Sequence, residues 1–188
     1  LRCIASTSAS EISVMNARPP MSGLIRPEYP GDESAIGELT RLAFATHPRS
    51  THTEHFVVQA LRSANALTVS LVAEQTMRII GHIAFSPVCI SDCSPDWYGL
   101  GPVSVAPPLQ GQGIGRALLE RGLQQLRGLG AQGCVVFGNP GLYSRFGFAR
   151  DPGLFLTGVP QEFFLALPFG AKSAEGEVTY HAAFSAGG

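Results

Sequence analysis

Three glycines at every second position, Gly111, Gly113 and Gly115, stand between the apolar alternation around Val103 to Val105 and a run of helical periodicity. Glycines at a strand-to-helix junction let an anion approach the backbone, and the first turn of a helix offers it N–H groups and a positive dipole end. The chemistry indicated is recognition of a phosphate-bearing ligand. A Walker loop would need a Gly-Lys-Ser/Thr close, but the nearest cation is Arg116, already inside the helix. A dinucleotide fingerprint would need two residues between its second and third glycines and an acidic residue after the next strand. Here the glycines alternate, and the next strand ends in Phe137-Gly138-Asn139. The pattern Gln/Arg-x-x-Gly-x-Gly/Ala remains, met by Gln110, Gly113 and Gly115.

A second group lies further along, in "CVVFGNPGLYSRFGFAR": an apolar strand, an Asn139-Pro140 turn, Tyr143 in a short helix, and an Arg-Phe-Gly-Phe ending. In this order and separation the two motifs resemble the GNAT superfamily of N-acetyltransferases, most of all its YhbS-like branch. The resemblance runs from about Leu24 to Phe184.

The resemblance implies an α/β GNAT fold, a mixed central β-sheet with helices on both faces. It also implies a V-shaped slot for a pantetheine arm beside the glycine loop. The reaction implied is direct attack of an amine, on a small molecule or a peptide, on the thioester of acetyl-CoA, with both substrates held together. Such a reaction needs a neutral amine, a polarised carbonyl and a proton for the departing thiolate. Carried over residue by residue, Gln110, Gly111, Gln112, Gly113, Ile114, Gly115 and Arg116 bind the diphosphate. Val103, Ser104 and Val105 line the acetyl and pantetheine arm, and the Val105 N–H polarises the carbonyl. Asn139 bonds the arm, and Tyr143 is the general acid. The competing function is an acyl-CoA-binding sensor that keeps the slot without turnover; a proton donor at Tyr143 argues for turnover.

No base is assigned. Glu74 and His82 are expected to be solvent-facing sheet residues, and Ser104 to point away from Val103. His52 and His55 in "HTEH" have no third ligand nearby and read as a solvated helix start, so no metal is expected. Trp97 and Tyr98 read as a strand edge. Cys3, Cys89, Cys93 and Cys134 have poor zinc spacing and read as buried or incidental thiols.

Positioning these groups takes a strand over Leu24 to Arg26, then a helix capped by Asp32. A second helix starts at the capping-box pair Thr51 and Glu54. A hairpin turning near Gln75 to Arg78 follows, then a strand over Tyr98 to Val105. The helix from Gly113 to Leu129 sets Ile114, Leu118, Gly122, Leu126 and Leu129 against a sheet, with Arg116, Glu120, Gln124 and Arg127 outward. "GCVVFG", "EFFLALPFG" and "EVTYHAAF" read as later strands. Strand, helix, strand after a hairpin means a mixed sheet, with ligand near the carboxyl ends of its central strands.

The 188 residues, 45% apolar and 14% charged, suit one globular domain. A formal charge of -1 without a basic stripe disfavours nucleic acid, and no apolar run reaches a membrane span. Residues 1–22, Ser-rich and ending near Pro19-Pro20, read as a disordered leader, and residues 23–186 as a single N-acetyltransferase domain. A cytoplasmic monomer or homodimer is expected.

Overall fold

A computed structural model describes residues 23–47, 50–170 and 174–185; the expected leader lies outside them. β1 (Leu24–Pro27) is followed by α1 (Glu33–Phe44) and α2 (Glu54–Ser63). The hairpin is β2 (Val69–Gln75) and β3 (Arg78–Ile90), joined by Thr76 and Met77. Both turn residues have positive φ, 49° and 60°, as a two-residue turn matched to strand twist requires. Then come β4 (Trp97–Val105), α3 (Ile114–Gly128), β5 (Gly133–Phe137), α4 (Pro140–Tyr143), β6 (Leu154–Phe155), β7 (Phe164–Pro168) and β8 (Gly176–Tyr180).

The main sheet runs β1-β2-β3-β4-β5-β7, with β4 and β5 parallel and the other neighbours antiparallel. β3 serves two layers: its start and middle pair with β2 and β4, while Val88 to Ile90 pair with β8. α3 packs Leu118, Leu119, Leu123 and Leu126 on one face of the sheet, against Leu71, Ile83 and Phe85. On the other face Ile36 of α1 and Val58 of α2 meet Val72. The sheet is therefore covered on both sides, as expected.

Several local expectations are corrected. Asp32 caps α1 by position only, because its carboxylate is drawn to Arg26 at 2.6 Å. The Thr51 and Glu54 box does not form: Thr53 is the cap residue, Thr51 bonds Thr53, and Glu54 accepts from Ser50. Leu129 lies past the end of α3 and is exposed. The chain after Tyr180 curls into a 3-10 turn, Ala182–Ser185, so the last strand is shorter than expected. Trp97 is buried over Gly133 instead of lying at an edge. The described cysteines are free thiols, Cys134 buried and Cys89 and Cys93 exposed, within the expectation of buried or incidental thiols.

Candidate active site

β4 and β5 pair only at Trp97/Gly133, Tyr98/Cys134 and Gly99/Val135. Beyond Gly99 the two strands part. β4 carries one extra residue here, since Ile83 faces Val103 while Phe85 faces Leu100, and Gly101 and Pro102 fill the irregularity. A bulge of this kind bends its strand, and it sits where β4 leaves β5.

The backbone groups exposed by the parting follow from the ladders. Ala106 donates to Ile80 O at 2.9 Å, so pairs 106/80 and 104/82 are the hydrogen-bonded ones in the antiparallel alternation. Val103 and Val105 are then the non-bonded positions toward β3, and their N–H groups face the open side. On the opposite wall Gly138 donates to Phe163 O at 2.8 Å. By the same alternation Phe137 turns its N–H and C=O away from β7, toward the opening. The result is a V with unpaired backbone on both arms.

The glycine loop closes the wide end of one arm. Gly111 and Gly113 have φ of 73° and 89°, in the left-handed region that glycine enters freely. Gly113 is the residue before α3, so the N–H groups of residues 113–116 are the ones a helix leaves without intrahelical carbonyls. Gln110 returns its side chain to β4, Nε2 donating to Val105 O at 3.1 Å, and Gln112 donates to Pro108 O at 3.3 Å. Ile114 is buried over Gly81 and offers the site only its backbone. Gly115 lies against the Val103 and Val105 side chains. Arg116 is exposed and paired with Glu120 at 2.8 Å.

Tyr143 stands on α4, its ring over Gly138 and edge-on to Phe148 at 5.9 Å. Burial, with Cys134 nearby, pushes its phenol up to about 12. Asn139 caps α4, its Oδ1 accepting from the Gly141 N–H at 2.9 Å; its amide N–H2 remains the group that could reach a ligand arm. The structure thus sets Val103, Val105 and residues 110–116 along one arm of the V and Asn139 and Tyr143 at the end of the other.

Ser104 is not among them. It is fully buried on the α1 face, donating to Thr40 at 3.1 Å. Beside it lies a polar cluster that alternation alone did not reveal. His82, expected in solvent, is fully buried, and its Nε2 is 2.9 Å from Ser70 Oγ. Ser70 gives its own proton to Glu28, so Nε2 carries the hydrogen and donates to Ser70, leaving Nδ1 bare. Burial lowers the His82 pKa to about 4, so the ring is neutral. Burial alone would raise Glu28, but bonds from Arg62, at 2.6 Å, and Ser70 outweigh it and hold the carboxyl below its usual range. Glu74 accepts from Arg26 at 2.8 Å and is half-buried. His52 Nδ1 lies 3.0 Å from Phe44 O. His55 lines a cleft of about 450 Å³ between α1 and α2, which contains none of the loop residues. Among the described residues no group of three metal-capable side chains occurs, and no helix is long and apolar enough to cross a membrane.

A parted β4/β5 pair with a glycine-led helix at its mouth is the architecture of an acyl-CoA N-acyltransferase, and comparison with known proteins agrees. Residues 67–150 match the acetyltransferase (GNAT) domain model. The chain is 39% identical over 126 residues to the uncharacterised N-acetyltransferase YhbS of Escherichia coli K12, covering 66% of this chain and 72% of that protein. It also superposes on the E. coli YhbS crystal structure in complex with CoA, with a TM-score of 0.82 and 32% identity over 93% of this chain and 98% of that one. A Brucella melitensis GNAT acetyltransferase in complex with acetyl-CoA gives 0.77 and 48% identity, over 86% and 97%. The chain belongs to the GNAT family of N-acetyltransferases.

Proposed function

We propose that the opening between β4 and β5 holds acetyl-CoA and that the chain transfers its acetyl group to an amine of a small molecule or peptide. The parting of the strands after Gly99/Val135, with the glycine loop at its wide end, carries this reading. Backbone N–H groups from Gly111 to Arg116 take the diphosphate, with Gln110 strapping the loop to β4. The arm runs along the outward N–H groups of Val103 and Val105, with Asn139 on the other wall. One of these two N–H groups polarises the thioester carbonyl; that of Val103 lies nearer the closed end. The neutral amine attacks the carbonyl carbon, the C–N bond forms, and the C–S bond breaks. Tyr143, protonated throughout the neutral range, gives its proton to the departing sulfur, the acylated nitrogen sheds one proton to solvent, and the phenolate regains one from solvent, so amine and thioester become amide and thiol. Ser104 serves the fold and not the arm, and His82, sealed under α1, is not the base. The free thiols of Cys89, Cys93 and Cys134 are in keeping with a cytoplasmic setting.

Calorimetric titration with acetyl-CoA and CoA, followed by a thiol-release assay over a panel of amines, tests the proposal. Micromolar binding and release with at least one amine are expected. Failure to bind either ligand would overturn the assignment, and binding with no release across the panel would favour a sensor.

A further inference from the structure

β8 delivers a second phenol to the same opening. Tyr180, opposite Val88 in the β3/β8 ladder, lays its ring over Gly99, the last residue of β4 still paired with β5. A β-carbon at Gly99 would overlap that ring, so the glycine makes room for it. The ring is partly exposed, but the hydroxyl oxygen is enclosed. On the outward side of β5 the Phe137 N–H approaches this oxygen as a donor, which works against the effect of burial on the phenol. Among the described residues no acceptor takes the hydroxyl's own hydrogen. A buried O–H donor without an acceptor costs stability, so its retention at the apex of the V points to an acceptor that arrives with a ligand.

Which atom arrives there follows from the direction of the arm. The diphosphate loop follows the C-terminal end of β4, and the open edge of β4 from residue 100 to 105 is about 15–20 Å long at strand rise. An arm anchored at the loop and laid along this edge brings its far end, the acyl group, to the apex. On the reading above, which this inference extends, we propose that the Tyr180 hydroxyl donates a hydrogen bond to the acyl carbonyl oxygen of bound acetyl-CoA. It joins the backbone N–H of β4 as a donor to the charge that develops on that oxygen during attack. Burial raises the Tyr180 pKa well above its ordinary value, with Cys134 and Tyr143 nearby adding to the effect. It therefore donates as a neutral phenol and transfers no proton. Tyr143, on the other side of β5's end, acts on sulfur; Tyr180 acts on oxygen.

Tyr180→Phe separates this role from a packing role, because it removes only the hydroxyl. The variant without ligand should melt at the wild-type temperature or above. Its acetyl-CoA affinity should fall roughly five- to tenfold, the loss of one hydrogen bond, with CoA affinity unchanged and kcat lowered at least as much. Equal weakening toward CoA and acetyl-CoA, or wild-type affinity and turnover, would overturn the proposal. If the wild-type protein binds neither ligand, the acetyltransferase reading itself fails, a distinct result.

Discussion

Gln110 reaches back along the chain to Val105, its Nε2 donating to the Val105 carbonyl at 3.1 Å. The turn of residues 106–109 is thereby closed onto β4, and the glycine loop that follows it is held against the strand edge proposed to take the thioester arm. Gln110→Ala cuts the tie at an exposed position. The loop must then be ordered by the ligand, and acetyl-CoA affinity should fall roughly 2- to 10-fold, the worth of one hydrogen bond. Calorimetry reads the affinity; the melting temperature should hardly move.

Gly115 gives a cleaner test of anion approach. A β-carbon there would meet Val105 Cγ2 at 3.6 Å and Val103 Cγ1 at 3.9 Å, ordinary contacts, and alanine favours a helix over glycine by about 1 kcal/mol. Gly115→Ala should leave stability equal or raised while weakening CoA and acetyl-CoA alike. Unchanged affinity for both would show that no ligand atom comes close to this backbone.

Tyr143→Phe should lower kcat on the order of 10²-fold, at the lower end for a general acid because a thiol of pKa about 8.5 already leaves well. Acetyl-CoA affinity should be retained. With the phenol held near 12 by burial, no alkaline loss of activity below about pH 10 should belong to this group, so a wild-type limb in that range would persist in the variant. Steady-state rates across pH check both points.

Acidification should unfold the protein through the cluster under α1. The folded-state pKa of His82 is depressed to about 4 from 6.5, so the unfolded chain binds the extra proton between these values. Stability is full above about pH 6.5 and falls as pH drops toward 4, by an amount of order 3 kcal/mol for this group. Glu28, held below its ordinary range, acts in the same direction at lower pH. Urea midpoints measured from pH 7 to 4 should show this slope, and His82→Gln should flatten it even where that variant is less stable overall.

Gly122 marks the seat of α3 on the sheet. A β-carbon there would lie 2.7 Å from Phe85 Cζ, and overpacking of this kind costs about 1–3 kcal/mol. Gly122→Ala should lower the melting temperature despite its better helix propensity, and Phe85→Leu added to it should recover part of the loss.

What could be read in the chain beforehand was local. Gln110 to Arg116 betray a glycine-rich strand-to-helix loop by spacing, and Asn139-Pro140 followed by Tyr143 betray a turn and short helix. Outward Val103 and Val105 needed only the ladder rule once β4 was placed. Alternation wrongly places His82 in solvent because a period of two tells which residues share a face but not whether helices cover it, as α1 and α2 do. The Thr51/Glu54 spacing loses to other local partners, Ser50 taking the carboxylate and Thr53 the Thr51 hydroxyl. Tyr180 carried no local signal: its position depends on β3 continuing past β4 to meet β8, and its use on the small residue Gly99 beneath it.

That continuation of β3 also sets an order of assembly. Ser91 and Glu177, joined through Ser91 Oγ at 3.0 Å, are 86 residues apart in sequence, and Asp92 and Glu175 are 83 apart. Contacts so distant repay their loop-closure entropy late, and a chain emerging from the ribosome presents its N-terminal segments first. The β1–β5 layers and the glycine loop can therefore be in place before β8 has been synthesised. The apex of the V is completed last, by the segment that carries Tyr180, so on the proposed reading a nascent chain has its diphosphate loop before its full acyl site.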